Sequence, residues 1–315
     1  MVKIKRGLVF ALVLLALLIG CKQQADTQDL TSPYVGGTDG LEFAFQEDEP
    51  PLNVLDDGQE DFYITLLVRN LGEYTVPQGE AVASLSGIDA NAFSLSSFNT
   101  KNTVAIEGTT NDQGFIIEGA EEILEFSQAN YINDVMTDLN NVLLRADLCY
   151  QYNTEALAHL CLKKDVVKKS IEDVCDTTSP SVKLFNSGAP LQVTNMRQKA
   201  VGSGKVQIAF TVEHAGGDLT YLPGSFTDAC KGQEDNKDMV KVTLMNPQNN
   251  FVPECSAFGK SHTGNVRLVG NKKEITCTID TSNLQEVSYQ DLLIIDLDYD
   301  YRQAITTNIN VKNAV

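Results

Sequence analysis

The sequence predicts an all-β fold made of two similar halves. Two observations support this prediction: short segments rich in β-branched and aromatic residues recur along the chain, and several of them are repeated in the same order. Examples are "FYITLLVRN" (62–70), "KVQIAFTVEH" (205–214), "EITCTID" (274–280) and "LLIIDLDYDY" (292–301). Gly, Asn, Asp or Pro bound such segments, as is typical of strands that end in turns.

The first twenty residues have the pattern of a secretory signal. A basic start is followed by an apolar run from Leu8 to Ile19, which is shorter than the roughly 20 apolar residues that a membrane-spanning helix needs. We therefore expect residues 1–20 to be a signal peptide and the remainder to be exported. An uncleaved membrane anchor is the alternative.

The segment ends in Leu18-Ile19-Gly20-Cys21, which resembles the lipobox of prokaryotic lipoproteins. This resemblance implies cleavage after Gly20 and attachment of diacylglycerol to the thiol of Cys21. The membrane would then be a partner through a lipid anchor, and the protein would lie outside the cytoplasm at the cell surface. The polar, glycine-containing residues that follow predict a lipid-proximal tether over 21–37.

Charge divides the chain into two regions. The formal net charge is -18, and residues 22–148 contain 23 acidic and 4 basic side chains, whereas residues 149–315 contain 19 and 17. A nucleic-acid partner is disfavoured, because phosphate binding needs a basic surface. The acidic half could instead attract cations or a basic protein, or serve solubility alone.

Residues 38–163 are expected to form a first, acidic β-sandwich domain. In residues 146–152 apolar and polar side chains alternate, as in a strand that covers a core on one face. The alternation resumes after Asn153–Glu155 and continues to Leu162. We interpret this stretch as a hairpin that bends near Glu155.

The repeated segments favour duplication. "PPLNV" (50–54), "ITLLVRNLG" (64–72) and "LCYQY" (148–152) match "APLQV" (189–193), "IAFTVEHAG" (208–216) and "LDYDY" (297–301), with offsets of 139, 144 and 149 residues. Chance is the alternative for matches this short. Two copies of an all-β unit of this size predict two tandem immunoglobulin-like β-sandwich domains, the second over 181–315.

The connection over 164–180 is expected to be a short helix. Val167, Ile171 and Val174 are spaced at helical intervals within it. Several lysines surround them, and these are expected to be a solvated face rather than a lipid contact.

Each half resembles CARDB-like and other immunoglobulin-type modules of exported archaeal and bacterial surface lipoproteins. The resemblance lies in "FYITLLVRNLGEYTV" (62–76) and in Cys149-Tyr150-x-Tyr152. It implies a fold and a location and no catalytic residue. The second copy departs from the pattern, because His214 stands where the first has Asn70.

Export predicts that the six remaining cysteines are disulfide-bonded. They are Cys149, Cys161, Cys175, Cys230, Cys255 and Cys277. Zinc is the competing interpretation, but no C-x-x-C pair occurs. A hairpin centred on Glu155 would place Cys149 directly opposite Cys161, close enough for a bridge. Of the other pairings, we favour Cys255 with Cys277 and Cys175 with Cys230, although the sequence alone does not decide between them.

No residue pattern in the sequence specifies a reaction or a cofactor. Neither Gly-x-Ser-x-Gly nor His-Glu-x-x-His occurs, and Asp296, Asp298 and Asp300 lack the glycine and glutamate of a calcium loop. Acidic loops at 46–51 and 233–238 could hold a weak calcium ion or be simple solvated loops. We predict no catalytic residue, no metal and no cofactor.

The sequence thus predicts a lipid-anchored, extracytoplasmic surface protein that acts as a non-catalytic interaction or structural module. Its partner would be a protein or another component of the cell envelope, bound by sandwich loops and strand edges. The alternative is a lipoprotein that captures a solute or a metal for an importer, which would need a cleft between its lobes.

Overall fold

The computed structural model describes residues 31–112, 114–177, 180, 182–227 and 229–314. These residues form an all-β protein with several sheets and no α-helix, which confirms the prediction of an all-β chain. Two short 3-10 turns, Glu234–Asn236 and Ser256–Phe258, are the helical elements among the described residues. In the same part of the chain, no helix has the length and apolar character needed to cross a membrane.

Twenty strands occur in the described residues. In the first half they are β1 (Leu41–Phe45), β2 (Asn53–Leu55), β3 (Asp61–Phe62), β4 (Thr65–Asn70), β5 (Val82–Ser86), β6 (Asn99–Lys101), β7 (Thr110–Asp112), β8 (Phe115–Ile117), β9 (Glu121–Glu125), β10 (Ala129–Asn130) and β11 (Leu139–Leu162). In the second half they are β12 (Lys183–Asn186), β13 (Leu191–Ala200), β14 (Lys205–His214), β15 (Leu219–Tyr221), β16 (Met239–Met245), β17 (Glu254–Cys255), β18 (Thr263–Arg267), β19 (Lys272–Asp280) and β20 (Tyr289–Lys312).

Two 24-residue strands, β11 and β20, form the centre of the molecule. They pair antiparallel from Leu162 opposite Tyr289 to Leu139 opposite Val311. The main sheet has the order β18-β16-β20-β11-β5-β6, and β2, β12 and β15 pair with the two long strands outside this path.

The predicted hairpin is wrong, because β11 passes through Asn153–Glu155 without a bend. Alternation continues across this polar stretch: Thr154 lies on the buried face and its hydroxyl donates to the Leu191 carbonyl at 2.8 Å. The strand therefore does not pair with its own continuation. It pairs with the second copy of the pattern.

The two halves are related by a local two-fold axis. The offset of 149 residues that relates Tyr150 to Tyr299 also relates Gln151 to Asp300, and these two residues lie opposite each other. A two-fold rotation about this pair therefore exchanges β11 with β20. The same rotation exchanges β5 and β6 with β16 and β18, so the order of the main sheet reads the same from either edge.

Two smaller sheets, of order β1-β4-β9 and β13-β14-β19-β17, accompany the main sheet. Their middle strands β4 and β14 carry the repeated "ITLLVRNLG" and "IAFTVEHAG" segments. The "PPLNV" and "APLQV" segments are not equivalent, however: Leu41 lies opposite Asn70 as Leu191 lies opposite His214. The counterpart of Leu191 is thus Leu41, whereas 53–55 form β2, a parallel edge beside β20.

One hydrophobic core serves both halves. A continuous cluster of buried apolar side chains includes residues from β1, β4, β5 and β11 as well as from β13, β14, β16 and β20. Pro33–Val315 accordingly forms one compact unit by its internal contacts. The division of this unit into domains over 38–163 and 181–315 stays a prediction.

The connection between the halves consists of turns and bends, with no helix in its described residues 164–177 and 180. The apolar residues with helical spacing are exposed, and Ile171 is fully so, because no neighbouring surface covers them. Polar contacts hold the segment instead. The buried Lys163 Nζ lies 2.7 Å from Asp173 Oδ2.

Three disulfides join the six cysteines, as Cys149–Cys230, Cys161–Cys175 and Cys255–Cys277. The Cys149–Cys161 prediction is wrong, because both residues lie in the continuous strand β11 and are separated by about 40 Å at roughly 3.3 Å per residue. The Cys175–Cys230 prediction fails with it. Cys255–Cys277 is confirmed, and these residues lie opposite each other in the β17–β19 pair.

Candidate functional site

Four tyrosines surround the two-fold axis on the buried face of the main sheet. Tyr150 lies opposite Tyr301, and Tyr152 lies opposite Tyr299. All four are at most 2% exposed. Their rings contact one another, with centroids 5.6 Å apart for Tyr150 and Tyr152 and 6.2 Å for Tyr299 and Tyr301.

Each tyrosine hydroxyl bonds to a smaller sheet. The Leu41 amide donates to Tyr150 at 3.1 Å, and in the second copy the Leu191 amide donates to Tyr299 at 3.4 Å. These bonds matter for stability, because a buried hydroxyl left unpaired costs about 1–3 kcal/mol.

The departure of the second copy from the repeat is explained by these bonds. The Tyr152 hydroxyl donates to Asn70 Oδ1 at 3.0 Å, and the Tyr301 hydroxyl lies 3.0 Å from His214 Nε2. Asn70 and His214 therefore make the same contact with different side chains. The substitution preserves the duplication at the level of hydrogen bonding.

The repeated glycine two residues later makes room for the hydroxyl. A Cβ atom at Gly72 would collide with the Tyr152 hydroxyl, and one at Gly216 would collide with the Tyr301 hydroxyl. A side chain at either position would displace the tyrosine. The final glycine of each repeated segment thus has a steric role.

Burial keeps the four tyrosine hydroxyls protonated. Burial is the main cause that raises the pKa of all four tyrosines above the ordinary value of 10.0. Each hydroxyl is therefore neutral at physiological pH and serves as a hydrogen-bonding group. A nucleophilic or basic role would need a lowered pKa.

On the opposite face of β11, Asn153 and Glu155 line a cleft of about 370 Å³, which we call the tether cleft. It is lined by Pro33, Tyr34, Glu73, Tyr74, Thr109, Thr110, Asn111, Asn153, Glu155 and Ser187. The first described residues of the chain are part of this lining. The N-terminal segment is therefore built into the body of the protein at this place.

Two carboxylates hold the N-terminal segment in the tether cleft. Glu73 accepts hydrogen bonds from the amides of Val35 and Gly36, both at 2.9 Å, and from the amide of Gly188 at 2.6 Å. Glu155 accepts a hydrogen bond from the Tyr34 hydroxyl. Burial and this bond raise the pKa of Tyr34, so the hydroxyl keeps its proton.

An acidic strip continues from the cleft across the main sheet. Glu155 lies opposite Asp296, and Asp298 follows on the same face of β20. Burial, together with the negative charges of Glu155 and Asp298, raises the pKa of Asp296 to about 6. The carboxylate of Asp298 has two partners: Asn153 Nδ2 donates to its Oδ1 at 2.8 Å, and Lys241 Nζ donates to its Oδ2 at 3.4 Å.

The third aspartate of this strand is covered rather than solvated. Asp300 is 4% exposed and accepts hydrogen bonds from the amides of Ser225 at 2.7 Å and Phe226 at 3.3 Å. In the described part of the chain, no three His, Cys, Asp or Glu side chains are arranged to hold a metal ion. The acidic strip therefore offers charge but no assembled metal site.

A hairpin of β7 and β8 adjoins the tether cleft, and sequence reasoning missed it. Thr110 pairs with Ile117 and Asp112 pairs with Phe115. Phe115, Ile116 and Ile117 are 79%, 62% and 56% exposed. The signal in the sequence that could have revealed it is the short apolar run "FII" between the acidic residues Asp112 and Glu118.

The histidines occupy separate environments. His214 is buried against Tyr301, His159 lies with its ring 6.1 Å from that of Phe185, and His262 lines an apolar cleft of about 450 Å³ beside Phe251. Burial lowers the pKa of His159 and His214. None of these positions combines a nucleophile with a base. Cys21, the predicted lipidation site, lies outside the described residues.

Comparisons with known proteins identify no family. No protein-family model matches the chain, and no curated protein matches it. Among solved structures, a red sea bream transglutaminase is 10% identical with a TM-score of 0.19, and the match covers 86% of this chain. The chain spans 31% of that transglutaminase.

An adhesion glycoprotein and a domain of a surface protein, both from bacteria, are also among the matches. The serine-rich repeat adhesion glycoprotein Srr1 of Streptococcus agalactiae is 8% identical with a TM-score of 0.17, over 90% of this chain and 99% of that one. The collagen-binding domain of Erysipelothrix rhusiopathiae RspB is 7% identical with a TM-score of 0.11, over 88% and 94%. Scores this low carry no argument about fold or function.

Proposed function

We propose that this chain is a lipid-anchored, extracytoplasmic surface protein that acts as a non-catalytic interaction or structural module. The observation that carries the proposal is the set of three disulfides, because such bonds form and persist in oxidising compartments outside the cytoplasm. The lipid would be attached to Cys21, and the partner would be a protein or another envelope component.

The way the N-terminal segment joins the body supports an anchored protein. Glu73 and Tyr34 fix this segment through side-chain hydrogen bonds. Force on a tether that leads from Cys21 would therefore be transmitted to the two-fold-related sheets.

We further propose that the two halves arose by duplication of one immunoglobulin-like sandwich unit of the CARDB-like type. The matching tyrosine, glycine and leucine contacts on the two sides of the axis support this origin. The duplicated unit supplies a rigid framework, and its loops and edges supply the contact surfaces.

The anchor is tested by replacing Cys21 in the full-length chain expressed in an exporting prokaryotic host. Mass spectrometry of the N-terminal peptide should find diacylglycerol on the unaltered chain, and the protein should sediment with membranes. Cys21→Ala should lack the lipid and, once its signal has been removed, should be released in soluble form, whereas the control Lys22→Ala should stay with the membrane. An unmodified Cys21 in an exported chain would refute the anchor.

A further inference from the structure

Strand β8 places apolar side chains on both faces of the β7–β8 hairpin, whereas β7 is polar. Successive residues of a strand point to opposite faces, and Phe115, Ile116 and Ile117 are consecutive and all exposed. Neither face is therefore covered by the body of the protein. The two strands pair only with each other in their sheet.

The hairpin starts where the N-terminal segment meets the body. Thr110 and Asn111 line the tether cleft together with Pro33 and Tyr34. Thirteen residues lead from Cys21 to Tyr34, which fully extended reach at most about 45 Å. The apolar end of the hairpin projects only about 10 Å along strands as short as β7 and β8. A lipid on Cys21 and the hairpin can thus reach the same bilayer surface.

We propose that Phe115, Ile116 and Ile117 insert into the interface of the membrane that holds the lipid anchor. This inference rests on the proposed function, because the anchor brings the hairpin to the bilayer. The contact would fix the orientation of the two-fold-related body relative to the membrane.

A membrane fits this surface better than a protein partner does. Stable protein interfaces bury about 800 Å² on each side, and three side chains at the end of a hairpin supply only part of such an area. A tethered hairpin needs little affinity, because its anchor keeps it at a high effective concentration near the bilayer. Burial of each large apolar side chain then favours the inserted state by roughly tenfold or more.

The charges near the hairpin define the kind of lipid. Asp112 and Glu118 flank the apolar residues, and Glu121 and Glu122 follow in β9. Anionic headgroups would repel these carboxylates. Insertion should therefore be strongest in zwitterionic bilayers and weaker in anionic ones.

The test uses the absence of tryptophan from the chain. Phe115→Trp places a single fluorescent reporter in the hairpin, and Val269→Trp is the matched control, since Val269 is 74% exposed beside the turn between β18 and β19. The chain from Cys21 onward is coupled through the Cys21 thiol to a maleimide lipid in phosphatidylcholine vesicles. Coupling replaces lipidation by the cell, so the test is separate from that of the anchor.

On vesicles, the emission of Phe115→Trp should shift to the blue and should be quenched several-fold by lipids brominated on their acyl chains. The emission of Val269→Trp should stay that of an exposed indole. Adding Ile116→Ser and Ile117→Ser to Phe115→Trp should reduce the quenching, and so should anionic lipid. Equal melting temperatures of the variants confirm that each is folded.

Emission of Phe115→Trp that vesicles leave unshifted and unquenched would overturn the proposal. A blue shift that depends on protein concentration and not on vesicles would also overturn it, because the hairpin would then bind a second copy of the chain. If coupled protein inserts but cells leave Cys21 unmodified, the hairpin property stands and the proposed anchor fails.

Discussion

Tyr152 and Tyr301 are bound in the same way by different residues: the Tyr152 hydroxyl donates to Asn70 Oδ1 at 3.0 Å, and the Tyr301 hydroxyl lies 3.0 Å from His214 Nε2. The two tyrosines exchange places under the two-fold rotation that relates β11 to β20. Each hydroxyl also occupies the space beside a glycine without a side chain. The packing of each tyrosine against its polar partner and its glycine predicts how substitutions there change the stability of the core.

Gly216→Ala should destabilise the protein by about 2 kcal/mol, because the new methyl group meets the Tyr301 hydroxyl and lies 3.2 Å from His214 Nε2. Gly217→Ala is the matched control, since a Cβ atom there has no neighbour within 4 Å. Denaturant unfolding of the two variants measures the difference. Equal stabilities would show that the glycine does not make room for the hydroxyl.

His214→Asn should reproduce the asparagine–tyrosine contact of the first half and make the stability of the protein less sensitive to acid. Burial lowers the pKa of His214 below its ordinary value, an effect larger than the opposing charges of Asp218 and Asp238. The unfolded chain therefore takes up a proton near pH 6.5 that the folded chain does not. Stability contributed by the neutral ring is present above that pH and is lost as the pH falls through the lowered pKa.

In the asparagine variant this loss should be absent, and the loss of stability at neutral pH should not exceed about 1 kcal/mol, because the amide can still bond the Tyr301 hydroxyl. Melting curves between pH 7 and pH 5 measure the slope. A variant with the unaltered pH slope would exclude His214 as the source.

Asp296→Asn should change stability at neutral pH, whereas His214→Asn changes it mainly in acid. The pKa of Asp296 is raised to about 6 in the folded protein, against 3.8 as its ordinary value. The folded state therefore binds the Asp296 proton more tightly than the unfolded chain does. The stability that this proton contributes is present below the unfolded pKa and is lost as the pH rises through about 6. Replacement should stabilise the protein at pH 7.

The full difference between the two pKa values corresponds to about 3 kcal/mol, which solvent screening at this half-buried carboxylate reduces to about 1 kcal/mol. Asp298→Asn is the comparison, because it removes one of the charges that raise the Asp296 pKa but also loses the ion pair with Lys241. It should therefore stabilise the protein less than Asp296→Asn does. Unfolding at pH 7 and at pH 5 distinguishes the two variants.

The disulfides give a chemical test of the long strand. Non-reducing peptide mapping should recover Cys149 linked to Cys230 and Cys161 linked to Cys175. Cys149→Ala with Cys230→Ala opens a loop of 81 residues and should lower the free energy of unfolding by about 4.5 kcal/mol, whereas opening the 14-residue loop of the second bridge should lower it by about 3 kcal/mol. A peptide linking Cys149 to Cys161 would require a hairpin and would contradict the continuous strand.

Periodicity in the sequence was sufficient to predict strands, faces and repeats, but not which strands pair. Alternation from Ala146 to Leu162 is the same for a hairpin and for one straight strand, because both keep the apolar side chains on one face. Cys230 is distant in the sequence from Cys149, so its bridge follows from the tertiary fold alone. The tether cleft likewise combines residues from five separate segments.

A fragment that ends at Lys163 should not fold as an independent monomer. It would keep β1 to β11 but lose β20, and β11 would then present a 24-residue edge with unpaired backbone groups. Tyr150 and Tyr152 would also lose the ring contacts of Tyr301 and Tyr299. Exposed edges of this length promote association of chains.

Circular dichroism, sedimentation and melting of the fragment measure the outcome, with the chain from Cys21 to Val315 as the control. A monomeric fragment with a cooperative melting transition would show that the first half is a domain in its own right and that the shared core is not needed for its folding.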